Sequence, residues 1–227
     1  MSFEVIPVID LKAGKAVRAI AGDRAAYRPL ATPLCPDGDV LTCIAGYLGL
    51  HPFRRLYVAD LDAIERGVRQ DALLQTIRAA FPQLGLWVDA GFRSHDAAKE
   101  WAELGLGQPV LGSESLTDAG AASAGSAILS LDFRGDRFLG PPALLERPES
   151  WPADVIVMCL HDVGTGGGPD LARLSRIKTV ADTRRVFAAG GVRNRADLIS
   201  LAALGVSGAL VASALHSGAI GSGDLAA

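Results

Sequence analysis

The chain repeats itself, and that constrains its fold more than any other property. Shifted by one hundred residues, Gly91, Arg93, Leu104, Gly105 and Ser113 fall on Gly191, Arg193, Leu204, Gly205 and Ser213. The stretches 97–113 and 197–213 keep their apolar positions in phase, and the same shift puts Asp62 on Asp162. Identities at one offset, across both a strand and the helix after it, mark a duplicated half-domain. Asp10 in VIPVIDL and Asp132 in AILSLDF are counterparts at a larger offset, and the extra length falls in the long segment after the first strand.

Within each half, short apolar runs alternate with helical spacing. VIPVID, RRLYVADLD, GLWVDAG and PVLGS read as strands in the first half, and SAILSLDF, DVIVMCLHD, RRVFAAGG and GALVAS in the second. Such runs, apolar on both faces, are the mark of strands buried in a parallel sheet. Helices are expected over Asp37–Leu50, Arg69–Ala80, from Ser94 to Leu104, weakly from Thr117, after VGTGGGPD, and over 194–204. The first strand is followed by a segment broken by Gly and Pro, too long for a plain connection, which suits a small hairpin and an ordered loop. Eight strand–helix units in two similar halves close best as an α/β (β/α)8 TIM barrel, one domain over 1–227 with half-repeats near 1–124 and 125–227. An open doubly wound sheet is the alternative. The first strand lacks the G-x-G-x-x-G turn that its dinucleotide-binding version would carry.

Composition narrows the partners. The formal charge is −3, and no basic block runs through the sequence, which argues against nucleic acid. Cys35, Cys43 and Cys159 are too few and too scattered for a disulfide framework or a metal knuckle, and no metal or other cofactor is called for. No apolar run approaches the roughly 18 residues of a membrane helix, and the first residues lack the pattern of an export signal. A cytoplasmic protein, monomeric or a small homo-oligomer, is expected.

In a barrel, the chemistry gathers where the strands end. Asp10, Asp62, Asp89, Asp132 and Asp162 all sit at or just past such ends. Asp after a strand commonly caps the next helix, which suits Asp62 and is an option for Asp162. Asp10 and Asp132 follow apolar strands with no helix starting at once, and the repeat sets them opposite each other across the mouth. Two carboxylates in a partly desolvated cleft can hold different protonation states, one a base and one an acid. Gly190 and Gly191 permit a tight turn and a close backbone approach to a ligand, and the helix start at Ser213 adds amides suited to an anion.

IPVIDLKAGKAVRAIAGDR at the start and AAGGVRNRADLISLAALGVSGALVASAL at the end resemble the histidine-biosynthesis half-barrel family, which includes ProFAR isomerase and the cyclase subunit of imidazole glycerol phosphate synthase. YVADLDAIERG, VDAGFRS, VLGSESL and LDFRGD follow in the family's order, so the resemblance spans nearly the whole chain. It implies an enzyme acting on a phosphorylated sugar-like small molecule, by an Amadori-type aldose–ketose isomerisation where the family activity is kept. Asp10 matches the family's base and Asp132 the strand-five Asp, with Asp162 a candidate third group. The resemblance assigns phosphate to the turns after strands three and four (Gly91, Gly112, Ser113) and after strands seven and eight (Gly190, Gly191, Ala212, Ser213). Arg18 and Arg24 in the long first loop are further candidates for binding the substrate.

The chain also departs from that pattern. After strand six, LHDVGTGGGPD is shorter than the family's mobile loop and lacks its Arg/Lys-Asp-Gly tripeptide. Asp89 and Glu114 flank the first-half phosphate turn, where two carboxylates repel a dianion. His161 beside Asp162 has no second ligand at metal spacing. Three readings stay open from sequence: the isomerase, a related sugar-phosphate or aldehyde lyase or synthase in one-carbon-carrier biosynthesis, and a non-catalytic barrel. In the last, Asp10 would pair with Lys12 or Lys15.

Overall fold

The structure, a computed structural model, describes residues 3–20, 23–118, 127–164 and 166–225. Eight strands form a closed parallel barrel: β1 (Glu4–Lys12), β4 (Arg55–Asp60), β5 (Gly85–Asp89), β6 (Gln108–Gly112), β7 (Ile128–Arg134), β9 (Asp154–Cys159), β10 (Arg185–Ala189) and β11 (Gly208–Val211). Closure is made by β11 against β1, with Glu4 opposite Gly208 and Pro7 opposite Val211. Three short strands lie off this ring. β2 (Lys15–Arg18) and β3 (Arg28–Pro29) fold back on β1, and β8 (Arg137–Leu139) folds back on β7. Outside the barrel run α1 (Val40–Leu50), α2 (Leu61–Arg66), α3 (Asp71–Ala80), α4 (His95–Ala102), α5 (Ala143–Glu146), α6 (Leu171–Val180), α7 (Arg195–Ala203), α8 (Ser213–His216) and α9 (Ser222–Leu225).

The repeat seen in the sequence is a repeat of elements. β5 and β10 begin and end one hundred residues apart, as do the ends of α3 and α6. Ser94 caps α4 by accepting from the Ala97 amide at 3.2 Å, and Asn194 caps α7 by accepting from the Asp197 amide at 3.2 Å. Helices in both halves thus start the same way, with a side-chain oxygen on an amide the helix leaves free.

Strand alternation sorts each strand's side chains between two cores. Ile6, Tyr57, Trp87, Val110, Ile128, Ile156, Phe187 and Leu210, one per barrel strand, fill the interior. Trp87 and Phe187 are repeat partners whose rings meet edge to face, centroids 5.0 Å apart. The opposite strand faces pack on the helices through residues such as Leu74, Trp101, Leu174 and Leu201, all buried. Counting on by twos from the interior layer reaches Asp10 on β1, Asp89 on β5 and Asp132 on β7. The same count gives Ala189 on β10 and Ala212 just past β11. These five side chains belong to the barrel mouth.

Several local expectations change. β1 runs on past Asp10 into the hairpin, with Asp10 opposite Val17, so this carboxylate rises from the flank of a strand rather than its end. The cap of α2 is Asp60, which accepts from the Ala63 amide at 3.1 Å, and not Asp62. Asp62 is buried and accepts from the Ala13 amide at 2.6 Å and from Arg66. α6 is capped by Asp170 rather than Asp162. Thr117 and Asp118 are not helical, and the rest of the weak helix expected there lies outside the described residues. Among the described residues, no helix is long and apolar enough to cross a membrane.

Candidate active site

A cleft of about 480 Å³ opens at the end of the barrel where the strands finish. Asp10, Asp89, Glu114, Asp132 and Asp162 line it, as do Arg18, Arg24, Gly190, Gly191, Ala212 and Ser213. Gly91, Gly112 and Ser113 do not. Gly91 lines a separate cavity, shared with Arg24 and Glu114 at the boundary.

Asp10 is half-buried and accepts no hydrogen bond among the described residues. Burial raises its pKa from 3.8 to about 7, against the opposing pull of Arg24. Neither lysine of the hairpin neutralises it. Lys12 pairs with Glu65 at 3.3 Å and donates to the Arg24 carbonyl at 2.8 Å, and Lys15 reaches the Asp37 carbonyl at 3.5 Å.

Asp132 is buried, at 5% exposure, but well supplied with donors. It accepts from Ser130 Oγ at 2.6 Å and from the Glu114 amide at 3.0 Å. Burial still wins over those bonds and raises its pKa to about 7, with Asp89 and Glu114 adding to the rise. Asp89, held by the Gly91 amide at 3.0 Å, is raised to about 6 for the same first reason. Two groups that titrate near neutrality can each be found in either state there, so one can accept a proton while the other gives one.

Tyr57 stands among these acids. Its hydroxyl donates to Asp89 Oδ2 at 3.4 Å, and burial together with Asp89, Asp132 and Asp10 pushes its pKa well above 10.0. It therefore stays a donor. Sequence reading passed over it, although the alternation of LYVAD sets Tyr57 on the interior face. Arg24 is committed to an ion pair with Glu114. Arg18 is exposed and makes no ion pair among the described residues.

The second-half turn is built by glycine. Gly190 (φ +96°) and Gly191 (φ +82°) occupy backbone that other residues rarely adopt, and a Cβ at Gly191 would collide with the Gly168 carbonyl. Arg193 beside it is held by Asp197 through bonds of 2.9 and 2.8 Å. Asp162 lies half-buried in the turn after β9, and His161 is exposed.

One neighbour of this turn had no sequence signal. His216, at the end of α8, lines the cleft. Its Nε2 is 2.8 Å from the Tyr47 hydroxyl, and its Nδ1 is 2.9 Å from Thr32 Oγ1. Tyr47 also bonds the Val8 carbonyl at 2.9 Å, and a carbonyl only accepts, so the Tyr47 proton goes there. Nε2–H then donates to Tyr47, and Nδ1 accepts from Thr32. Burial and nearby Arg18 lower the His216 pKa to about 4, so the ring is neutral.

Comparison with known proteins identifies the chain's relatives. The profile of a family described as Histidine biosynthesis protein matches residues 4–138 and 144–221. The chain is 29% identical to the 1-(5-phosphoribosyl)-5-((5-phosphoribosylamino)methylideneamino) imidazole-4-carboxamide isomerase of Lactiplantibacillus plantarum, over 98% of each chain. It is 30% identical to the isomerase of the same name from a Synechococcus strain, over 96% of this chain and 87% of that one. An uncharacterized protein of Methanocaldococcus jannaschii is 25% identical over 96% of this chain and 95% of its own.

Proposed function

The chain belongs to the histidine biosynthesis protein family, and from that premise we propose that it is an isomerase that interconverts a phosphorylated aminoaldose and its aminoketose. The observation that carries this reading is the pair Asp10 and Asp132. They come from opposite halves of the barrel, line one cleft, and both have their pKa raised to about 7.

Protonated Asp132 gives its proton to the ring oxygen and opens the sugar to an iminium at C1. Asp10, ionised, takes the proton from C2; the electron pair of that C–H bond forms the C1–C2 double bond while the C1–N π pair moves onto nitrogen, giving an enaminol. A proton then returns to C1 while O2 loses its own, leaving a C2 carbonyl and no net change in protons. Acid–base assistance of this kind contributes about 10²–10⁴-fold per group. The glycine turn at Gly190–Gly191, with Ala212 and Ser213, holds the substrate phosphate, and Arg18 balances its charge. Tyr57, whose one proton goes to Asp89, offers its hydroxyl oxygen to a donor of the substrate. Asp162, also at the mouth, is a candidate third acid–base group.

The test is deuterium uptake. The protein is incubated in D2O with the bis-phosphoribosyl substrate of its relatives and, separately, with phosphorylated pentosylamines, and label at C1 of the ketose product is followed by NMR. Label from at least one compound, lost in Asp10→Asn, is the expected result. A folded protein that neither labels nor converts any of them overturns the isomerase reading.

A further inference from the structure

We propose that the cleft takes a phosphate monoester and rejects a bisphosphate, because the chain's own carboxylates occupy the amides that a second phosphate would need. The proposal rests on the reading above for the identity of the site and the seat of the first phosphate. The repeat sets Asp89, Gly91, Gly112, Ser113 and Glu114 on Ala189, Gly191, Ala212, Ser213 and Ala214. The two ends of the cleft thus share a backbone plan and differ in what fills it.

At the second-half end, Gly190, Gly191, Ala212 and Ser213 face the cleft, with the uncommitted guanidinium of Arg18 nearby. At the first-half end the amides are spent. That of Gly91 donates to Asp89 at 3.0 Å, that of Glu114 to Asp132 at 3.0 Å, and that of Ser113 to the Ser130 carbonyl at 2.9 Å. The Ser113 hydroxyl is fully buried, accepting from the Asp132 amide at 2.8 Å and donating to the Leu139 carbonyl at 2.7 Å. Gly112, which leaves open backbone in such turns, is here walled by carboxylates. A Cβ on it would lie 3.1 Å from Asp89 and 3.4 Å from Asp132. Arg24, the cation facing this end, is taken by Glu114, and their ion pair stands between the cleft and the second cavity, where Gly91 lies.

Asp89 and Asp132 therefore stand where an anion would, and with Asp132 as the protonated acid it is Asp89, beside Glu114, that presents the acceptors at this end. It suits hydroxyl or amino groups of a substrate and repels a phosphate dianion. The isomerases to which the chain is similar carry two phosphoribosyl groups in the name of their substrate, so this chain's substrate is a shorter-charged relative of theirs, with one phosphate and a donor-rich far end.

Calorimetric titration distinguishes the cases. The probes are ribulose 5-phosphate, ribulose 1,5-bisphosphate, and linear alkanediols of increasing length as monophosphates and as bisphosphates. Each is measured on the wild type and on Asp89→Ala/Glu114→Ala, which installs the residues of the other half. In the wild type, monophosphates should bind about tenfold or more tighter than bisphosphates of equal length, and the double variant should shrink or invert that ratio. Glu114→Gln, close in shape, should move the ratio the same way and guards against a poorly folded double variant. A wild type that binds any bisphosphate as tightly as its monophosphate overturns the proposal, whatever its isomerase activity. Monophosphate preference without deuterium labelling would sustain it and overturn the isomerase reading instead. A folded wild type that binds none of the probes overturns the phosphate seat and the proposal together.

Discussion

Asp10 combines two properties that usually exclude each other: a carboxylate shielded from water at the barrel mouth, and no hydrogen bond among the described residues to hold its charge. Its replacement is therefore informative. Asp10→Asn should lose about 10²–10⁴-fold in kcat, as expected when a general base is removed. The same change should leave the thermal midpoint unchanged or higher, because the raised pKa says that folding disfavours the charge. A fall in both would mark Asp10 as structural. The pH profile follows from the same two groups. Activity should rise as Asp10 ionises and fall as Asp132 loses its proton, giving a narrow bell centred close to pH 7. Asp10 and Asp132 were legible in the sequence as candidates because a half-domain repeat pairs them. Tyr57 and His216 were not. Tyr57 reads as a core aromatic until the strand is wound into a barrel, and His216 matters only through Tyr47 and Thr32, which lie far off in the chain.

At the scale of elements, the glycines that look alike in the sequence do different work. Gly191 and Gly205 both have positive φ, but a Cβ on Gly205 meets nothing within 4 Å, whereas one on Gly191 strikes the Gly168 carbonyl. Gly205→Ala should cost about 1 kcal/mol, the left-handed backbone alone. Gly191→Ala should cost several times that, since the β10 turn and the loop before α6 must both shift, or about 2–4 °C of thermal midpoint for each kcal/mol. Equal losses in a thermal scan would show that the close approach of the two loops is not real. The order of strands and helices was readable from periodicity, and the boundaries of β5 and β10 agree with the repeat. The caps of α2 and α6 were not, because Asp60 and Asp62, like Asp162 and Asp170, are equally good capping residues on paper. Only the direction in which each strand leaves the sheet decides which one reaches the helix start.

The molecule as a whole keeps a reserve of unionised acid. Asp10, Asp89 and Asp132 are all raised above the 3.8 of an ordinary carboxylate, to between about 6 and about 7. Between those limits the unfolded chain has released protons that the folded one still holds, so stability should fall as pH rises from about 4 to about 7. Asp39 and Asp197, lowered by the bonds they accept, act the other way below 3.8, where their contribution is lost as pH falls. The urea midpoint should accordingly peak on the acid side of neutrality, and Asp10→Asn should flatten its decline. A midpoint that climbs steadily to pH 7 would contradict the burial of this cluster. None of this was visible beforehand, since the net charge of −3 says nothing of where the acids are shielded from water.

The broken symmetry of the cleft has a consequence for how a ligand arrives. A barrel built from two matching halves offers an elongated molecule two poses related by a half-turn, and only one sets its reacting carbons beside the base. In a fully symmetric site, half of the encounters would be idle, and the idle complex would compete with the working one at high substrate. On the proposal made above, the backward pose would press a phosphate against Asp89 and Asp132 and be refused on entry. The proposed site thus exchanges a second anchoring point for a single direction of approach.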